Sequence, residues 1–537
     1  MMENNLPVDL MHWILAITPL VLLLLMLVVF KWSGGTSGWV AMGVATLLGY
    51  FMFEAPLDNL AVGFGKGLWE AFFILLVVWF ALLLYHVTDE SGSFKVIREE
   101  VQNHSQNYLF LVLAFGWVFA SFLQGVAGFG VPIAVVAPLL VGLGVKPVAA
   151  IVIPLIGHSW ANMFGTLGVG WIATINAVQI EDTTLTLLYS GILLWIPNII
   201  GGFMICWLFA KWKGVKEGFL AVVIISLIHG GGQLAMLIFN AELSTFIPAI
   251  FAFGALFMLS KRKKYREKSE TEELTDILEE TDSKSEEKPD ISLHQAFMPY
   301  YVLSVVSIVF LGIGPIQSFL DQFQFGPPFP AVETGYGFEM EAEEAYSPIA
   351  PLTHPGFYLL VSVIFAYFWY KHLGLHHKNT TKNVFSGLKD NALGASLAIT
   401  GFLTMTMIME NSGQTNVLAL GIADISPPAV YAGLANVIGI IGAFMTSSNT
   451  SSNVLFSPLH GSVVNSMEGL SLPLVIAGQS TGGAIGNVIA PANIVLGTST
   501  ANAQGRESEV YKITLIFALF AGVGVSAVSV FLHFLGG

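Results

Sequence analysis

The chain has 537 residues, of which 54% are hydrophobic and 11% charged, whereas a soluble protein carries about a quarter charged residues. That balance excludes a string of soluble domains, and with them a soluble catalytic or nucleic-acid-binding module; it points to one polytopic membrane domain. The single cysteine, Cys206, lies in an apolar run and excludes a disulfide framework or a cysteine metal site, and the net charge of −14 resides mostly in two loops.

The N-terminus, MMENNLPVDL, is acidic rather than basic, so the apolar run from Leu10 to Phe30 reads as a first transmembrane helix and not a cleaved signal. Further spanning candidates follow at 38–53, 67–86, 107–123, 185–210, 218–238, 243–260, 294–314, 356–370, 391–410, 428–446 and 509–534. Shorter apolar pieces at 131–144, 147–160 and 452–485 are too short or too rich in Gly and Pro to span alone, and read as half-helices or hairpins. The expectation is an all-α membrane protein with about 12–14 membrane segments.

Basic clusters at Lys95/Arg98, Lys211/Lys213/Lys216, Lys261–Arg266 and Lys371/Lys378/Lys382 can all be placed inside if the N-terminus is outside. The acidic loop 315–352, which lacks Lys and Arg, then falls outside. The charge-dense stretch 261–290 reads as a disordered cytoplasmic linker. It divides an N-terminal half (1–260) from a C-terminal half (294–537), the linker region ending at 293.

Thr446 to Asn453, TSSNTSSN, places eight small uncharged polar residues between two apolar runs. Backbone in hydrocarbon must satisfy its own hydrogen bonds, so such an interruption survives only when buried in protein or lining a wet cavity. A broken helix offers free N–H groups at one half-helix end and free C=O groups at the other, suited to anions and small cations respectively. A weak internal repeat gives a partner. QGVAGFG (124–130) precedes an apolar run, a GLGVKP link and IVIPLIGHSWANMFGT (151–166), as TSSNTSSN precedes a run, a GLSLP link and LVIAGQSTGGAIGN (474–487). This alignment pairs Val131 with Val454 and Gly157-His158-Ser159 with Gly478-Gln479-Ser480. It predicts two hairpin elements, at about 124–166 and 446–487.

SFLQGVAGFGVPIAVVAPLLVGLGVKP (121–147), GAFMTSSNTSSNVLF (442–456), TGGAIGNVIAPANIV (481–495) and GRESEV (505–510), with a looser match at MENSGQTNVLALGIA (409–423), resemble the lactate permease family of bacteria and archaea. The resemblance covers most of the chain and implies proton-coupled uptake of 2-hydroxy monocarboxylates. It also implies a fold of two inverted repeats with re-entrant hairpins. The chain departs from the family pattern at Gln124, where Glu is usual, at Asn449, where Asp is usual, and at Asn487, where Lys is common. Charges expected at the site are thus neutral here, which sets Na⁺ beside H⁺ as coupling ion. Ser448-Asn449-Thr450 also looks like the hairpin tips of sodium-coupled dicarboxylate carriers.

The substrate-binding candidates are Gln124, Gly128, Gly130, His158, Asn162, Ser448, Asn449, Thr450, Ser451, Asn453, Gln479, Ser480 and Thr481. Their hydroxyls, amides and free backbone groups suit a carboxylate or a hard cation. Ser447, Asn449, Thr450 and Glu410 are the ion-coupling candidates. Each has a plainer reading: small-residue helix packing for the Gly and Ser/Thr motifs, a satisfied structural histidine for His158, a surface acid for Glu410. Glu70 ranks lower because Lys66 precedes it by one helical turn, and Arg506 reads as a membrane-edge cation beside Glu507 or Glu509. HLGLHHK (372–378) is a basic helix end and not a di-iron box, since no further histidine boxes accompany it. The sequence therefore predicts a plasma-membrane symporter for a small carboxylate such as lactate or glycolate, coupled to H⁺ or Na⁺. It implies no cofactor, metal or enzyme activity, and no partner beyond substrate, ion and lipid. A passive anion channel is the alternative.

Overall fold

The computed structural model describes residues 6–93, 95–96, 105–126, 128, 130–178, 180, 183–241, 243–279, 289–424 and 426–536, and almost all of its regular structure is helical. The first half comprises α1 (Leu10–Leu24, extended by a π turn), α2 (Gly34–Met52), α3 (Leu57–Glu90), α4 (108–126), α5 (Val131–Gly142), α6 (Pro147–His158) and α7 (Gly165–Ala177). It continues with α8 (Thr183–Ser226), which kinks at Ala210 and Lys211, α9 (Gly232–Leu237) and α10 (Phe246–Ser260). After the linker helix α11 (Lys263–Arg266), the second half runs through α12 (Leu293–Gly312), α13 (Gly314–Leu320), α14 (Pro355–His372), α15 (Thr380–Asn411) and α16 (Gln414–Asp424). It ends with α17 (Pro428–Thr446), α18 (Asn449–Ser466), α19 (Leu472–Gly486), α20 (Pro491–Thr500) and α21 (Glu507–Phe534). Every predicted span falls on a helix. The one sheet among the described residues is a short antiparallel ribbon, Val332–Glu333 against Glu339–Met340, inside the acidic loop.

Five of these helical stretches are long and apolar enough to cross a bilayer on composition alone. On α10, Phe251, Phe257 and Met258 are 66%, 62% and 72% exposed, an apolar outer face that water would not tolerate at this density. Inside, close helix approach rests on small residues, because lipid gives no hydrophobic drive for helices to associate. A Cβ on Gly67 of α3 would strike the backbone of Thr404 on α15, and one on Gly63 would meet Met407 and Ile408. The α3–α15 pair is the centre of a scaffold on which α2 packs against α15 and α14 against α3.

Two helical hairpins, α4–α5 and α17–α18, are set into this scaffold, their tips falling where the predicted hairpin elements (about 124–166 and 446–487) begin. In the first, α4 and α5 run antiparallel, with Gly116 beside Leu140, and both ends meet the linker: Gln106 N–H donates to Arg266 O (2.8 Å) and Lys146 N–H to Ile277 O (2.7 Å). In the second, Tyr431 near the start of α17 hydrogen-bonds His460 Nδ1 far along α18 (2.9 Å), so these helices are also antiparallel. Helix α21 gives the ruler between them. It has 28 residues, a length of about 40 Å. Its start, at Arg506, faces Glu279 of the linker, whereas Ser526 near its far end donates to Gly433 O on α17 (2.8 Å). The hairpins therefore open toward opposite ends of α21. Packing between the halves is reciprocal as well: α7 lies on α18 and α20 on α5, while α8 lies on α19 and α21 on α6.

The expected disorder of the linker fails for its first part. Tyr265 is buried at 1% exposure, its hydroxyl donating to Glu217 O (3.3 Å) and accepting from Ala221 N–H (3.1 Å). Ser269 and Glu272 form a capping box, and Leu278 pairs with Val145 at the α5–α6 link. Apolar residues spaced through the charged stretch anchor it to the membrane domain. The remainder of the predicted disorder, 280–288, lies outside the described residues.

Candidate functional site

Four helix interruptions meet at one cavity. Each hairpin tip is faced by a second break immediately downstream: α6 stops at His158 and α7 resumes at Gly165, and α19 stops at Gly486 and α20 resumes at Pro491. The tips turn through left-handed residues, Gly130 at φ +88° and Ser447 at φ +54°. Glycine accepts that geometry without cost, and a Cβ on Gly130 would also run into Leu496 of α20.

Hydrogen bonds tie each tip to its neighbouring break in a similar way. On one side Gln124 Nε2 donates to Asn162 Oδ1 (3.0 Å), and Gly128 N–H donates to Thr166 Oγ1 (2.7 Å). On the other, Asn487 Nδ2 donates to Ser447 O (3.3 Å), and Ala492 N–H donates to Ser447 Oγ (3.4 Å). Beside the breaks the two halves also bond each other, through Asn162 Nδ2 to Ala484 O (3.4 Å) and Asn453 Nδ2 to Thr174 Oγ1 (3.0 Å). Four of these ties take up backbone groups, at Gly128, Ser447, Ala484 and Ala492, in the membrane interior.

The cavity is about 260 Å³, below the usual range for drug-sized ligands and suited to a small acid. Its wall includes Gln124, Gly130, His158, Asn162, Thr166, Ser447, Ser448, Asn449, Thr450, Asn487 and Asn493, with Phe73 and Leu496 as apolar contributions. Among the described residues no Lys or Arg lines it, and one carboxyl, Glu70, does. Helices α5, α7, α18 and α20 all begin at this wall, so the positive ends of four helix dipoles replace a cationic side chain. His158 donates from Nδ1 to Pro154 O, which leaves Nε2 as an acceptor in the neutral ring. Asn449 is 4% exposed, and neither its Oδ1 nor its Nδ2 has a hydrogen-bond partner among the described residues. An orphaned buried amide of this kind costs about 1–3 kcal/mol unless a ligand or ion takes it.

The predicted site residues divide. Gln124, Gly130, His158, Asn162, Ser447, Ser448, Asn449 and Thr450 come together at the cavity. Gly128 sits behind the wall, and Asn453 is buried against Thr174. Gln479, Ser480 and Thr481 are not at the wall: Gln479 bonds His460 Nε2 (2.9 Å) and Ser452 Oγ (3.0 Å), and Thr481 Oγ1 bonds its own helix at Ala477 O (2.8 Å). The reason is the repeat alignment. Matching Gly-His-Ser to Gly-Gln-Ser sets Gln479 opposite His158, but the break after α19 comes two turns later, at Asn487. Glu410 lies outside the cavity, within electrostatic reach of Lys66, Glu70 and Glu343. Arg506 forms an exposed two-pronged pair with Glu509 (2.8 and 2.9 Å), away from the cavity. Ala127, Phe129 and the side chain of Ser451 lie outside the described residues. Sequence reasoning missed Phe73, Asn493 and Ser347, the last brought in by the acidic loop. The Gly-Asn and Ala-Pro-Ala-Asn steps at 486–493 carried the signal for Asn493.

A helical, multi-pass membrane protein with a small polar cavity between interrupted helices is what these observations define, and comparison with known proteins supplies the family. The family model described as L-lactate permease matches residues 12–536. The chain belongs to that family. It is 27% identical over 531 residues to an L-lactate permease of Halalkalibacterium halodurans, covering 95% of each chain. It is also 27% identical over 546 residues to the glycolate permease GlcA of Escherichia coli K12, covering 95% of this chain and 94% of the relative. Among solved structures, the YdaH transporter of Alcanivorax borkumensis aligns over 88% of this chain and 86% of its own at 13% identity, with a TM-score of 0.33. The chain is thus a permease by family, not an enzyme.

Proposed function

We propose that this protein is a cation-coupled symporter of the plasma membrane that carries a small 2-hydroxy monocarboxylate, lactate or glycolate, in the cavity between its two hairpins. The observation that carries the reading is the convergence of Gly130 and Ser447–Thr450, far apart in sequence, on one small polar wall. The substrate carboxylate would sit at the half-helix N-termini, and its hydroxyl would donate to His158 Nε2. Relatives named as lactate and glycolate permeases support this substrate class. The scaffold around α3 and α15 would stay fixed while the hairpin-bearing portion moves, exposing the cavity to either side in turn. The basic residues beside the linker support an N-terminus on the outer face.

The coupling ion we assign is H⁺. The unpartnered Asn449 amide is the observation that favours Na⁺ instead. Counterflow of labelled lactate and glycolate in proteoliposomes tests the carrier. Imposing pH and Na⁺ gradients separately tests the ion: accumulation driven by the pH gradient alone supports H⁺, and accumulation needing Na⁺ refutes it. Conduction without counterflow would make the protein a channel.

A further inference from the structure

The cavity reads as a site for an anion, yet the one charged-type side chain on its wall besides His158 is an acid. Glu70 is placed there by α3 and held by the acidic loop, whose Ser347 and Tyr346 side chains hydrogen-bond its carboxyl. Trp69 Nε1 also donates to Ser347 O (3.0 Å), which fixes the loop over this corner of the cavity. The cation one turn earlier does not offset Glu70 alone. Lys66, 2% exposed, pairs with Glu343 of the loop at 2.8 Å, and Glu410 of α15 faces the same ammonium. Lys66 is thus engaged by two other carboxyls, Glu343 and Glu410.

An ionised carboxylate in this corner repels an incoming carboxylate. At about 5 Å and an effective dielectric near 20, the repulsion lowers affinity on the order of a hundredfold. Protonation removes it and turns Glu70 into a donor. The neighbours accommodate either state: the Tyr346 O–H can donate to the ionised carboxylate or, turned to Met407 Sδ (3.2 Å), leave its oxygen to accept from a protonated Glu70. We propose that Glu70 is the proton-carrying residue of the transport cycle, taking one H⁺ from the side on which the anion enters and releasing it with the anion on the other. No bond other than O–H is made or broken. Proton and anion then each raise the other's affinity by the same factor, which is the thermodynamic content of symport. Lys66 is shared by Glu343, at 2.8 Å, and Glu410, neither of which lines the cavity. His158 occupies another part of the wall with Nδ1 bound to Pro154, and His354, off the wall, meets the wall residue Phe73 edge to face. This assignment rests on the carboxylate-carrier reading above and deepens it.

The test is proton uptake measured with a pH dye when lactate is added to purified, weakly buffered protein, together with pH-gradient-driven uptake in proteoliposomes. Wild type is expected to take up protons with lactate. Glu70→Gln, which imitates the protonated side chain, is expected to take up none, to lose pH-driven accumulation by more than about tenfold, and to exchange lactate with a KM that no longer varies with pH. Three results would overturn the assignment: Glu70→Gln accumulating lactate on a pH gradient as wild type does, wild type binding lactate without proton uptake, or proton uptake lost in Glu410→Gln but kept in Glu70→Gln. If Glu70→Gln does not fold, the wild-type dye measurement and Glu410→Gln still decide. Wild type failing to exchange lactate at all would instead overturn the carrier reading.

Discussion

Gly130→Ala probes the hairpin tip at its tightest point. The residue stands at φ +88°, ψ −8° at the start of α5, a conformation that costs a residue with a Cβ about 1–2 kcal/mol. The added methyl also falls on the Cδ2 end of the Leu496 side chain of α20, which must turn aside, and overpacking costs typically about 1–3 kcal/mol, the lower figure applying where a side-chain end can yield. Together these oppose the tip geometry by about 2–5 kcal/mol. Even the lower figure, falling wholly on the binding-competent state, lowers its population about 30-fold. The assay is lactate counterflow per folded molecule, with the thermal midpoint recorded in parallel. Gly505→Ala is the control. Its φ is +82° and nothing lies near its missing Cβ, so it carries the backbone strain without the contact and away from the cavity. Gly505→Ala should lower the midpoint and leave counterflow per folded molecule near wild type, while Gly130→Ala should lose counterflow by more than about tenfold. Counterflow of Gly130→Ala at the wild-type rate and KM would refute the reasoning.

Gln479→Ala should leave the KM for lactate near wild type, because Gln479 is off the cavity wall. It should still destabilise the protein by about 1–3 kcal/mol by leaving the buried His460 Nε2 without its partner, visible as a lower thermal midpoint. Tyr265→Phe removes a buried hydroxyl that serves Glu217 and Ala221. It should cost about 1 kcal/mol and speed proteolysis within 261–279; no change in either would mean that the linker is not docked as described.

Much of this architecture is legible in the sequence because hydrocarbon is an unforgiving solvent. An apolar run long enough to span must be helix, and eight polar residues inside one must be a break. TSSNTSSN therefore reads as a break, and a tight turn at Gly130 follows from its glycine-rich setting. The two downstream breaks were harder to see. GHSWANMFG and GNVIAPAN are made of small residues that serve helix packing equally well, so letter similarity set Gln479 opposite His158 when geometry sets the break at Asn487. Glu70 looked unremarkable beside Lys66 because only the fold brings Glu343 onto that lysine and Ser347 onto the cavity. The linker misled through composition. Its charge density suggested disorder, while a few well-spaced residues, Tyr265, Ile277 and Leu278, suffice to hold it against the membrane domain.

The occupied cavity can be tested on one engineered thiol. Cys206 is the only cysteine in the chain and is buried, so Thr450→Cys places a single reactive sulfur on the wall between the hairpins. The rate of its modification by a small methanethiosulfonate should fall as L-lactate is added, with half-protection at the concentration that half-saturates counterflow of the same variant. A modification rate indifferent to lactate, in protein that still exchanges it, would place the substrate elsewhere.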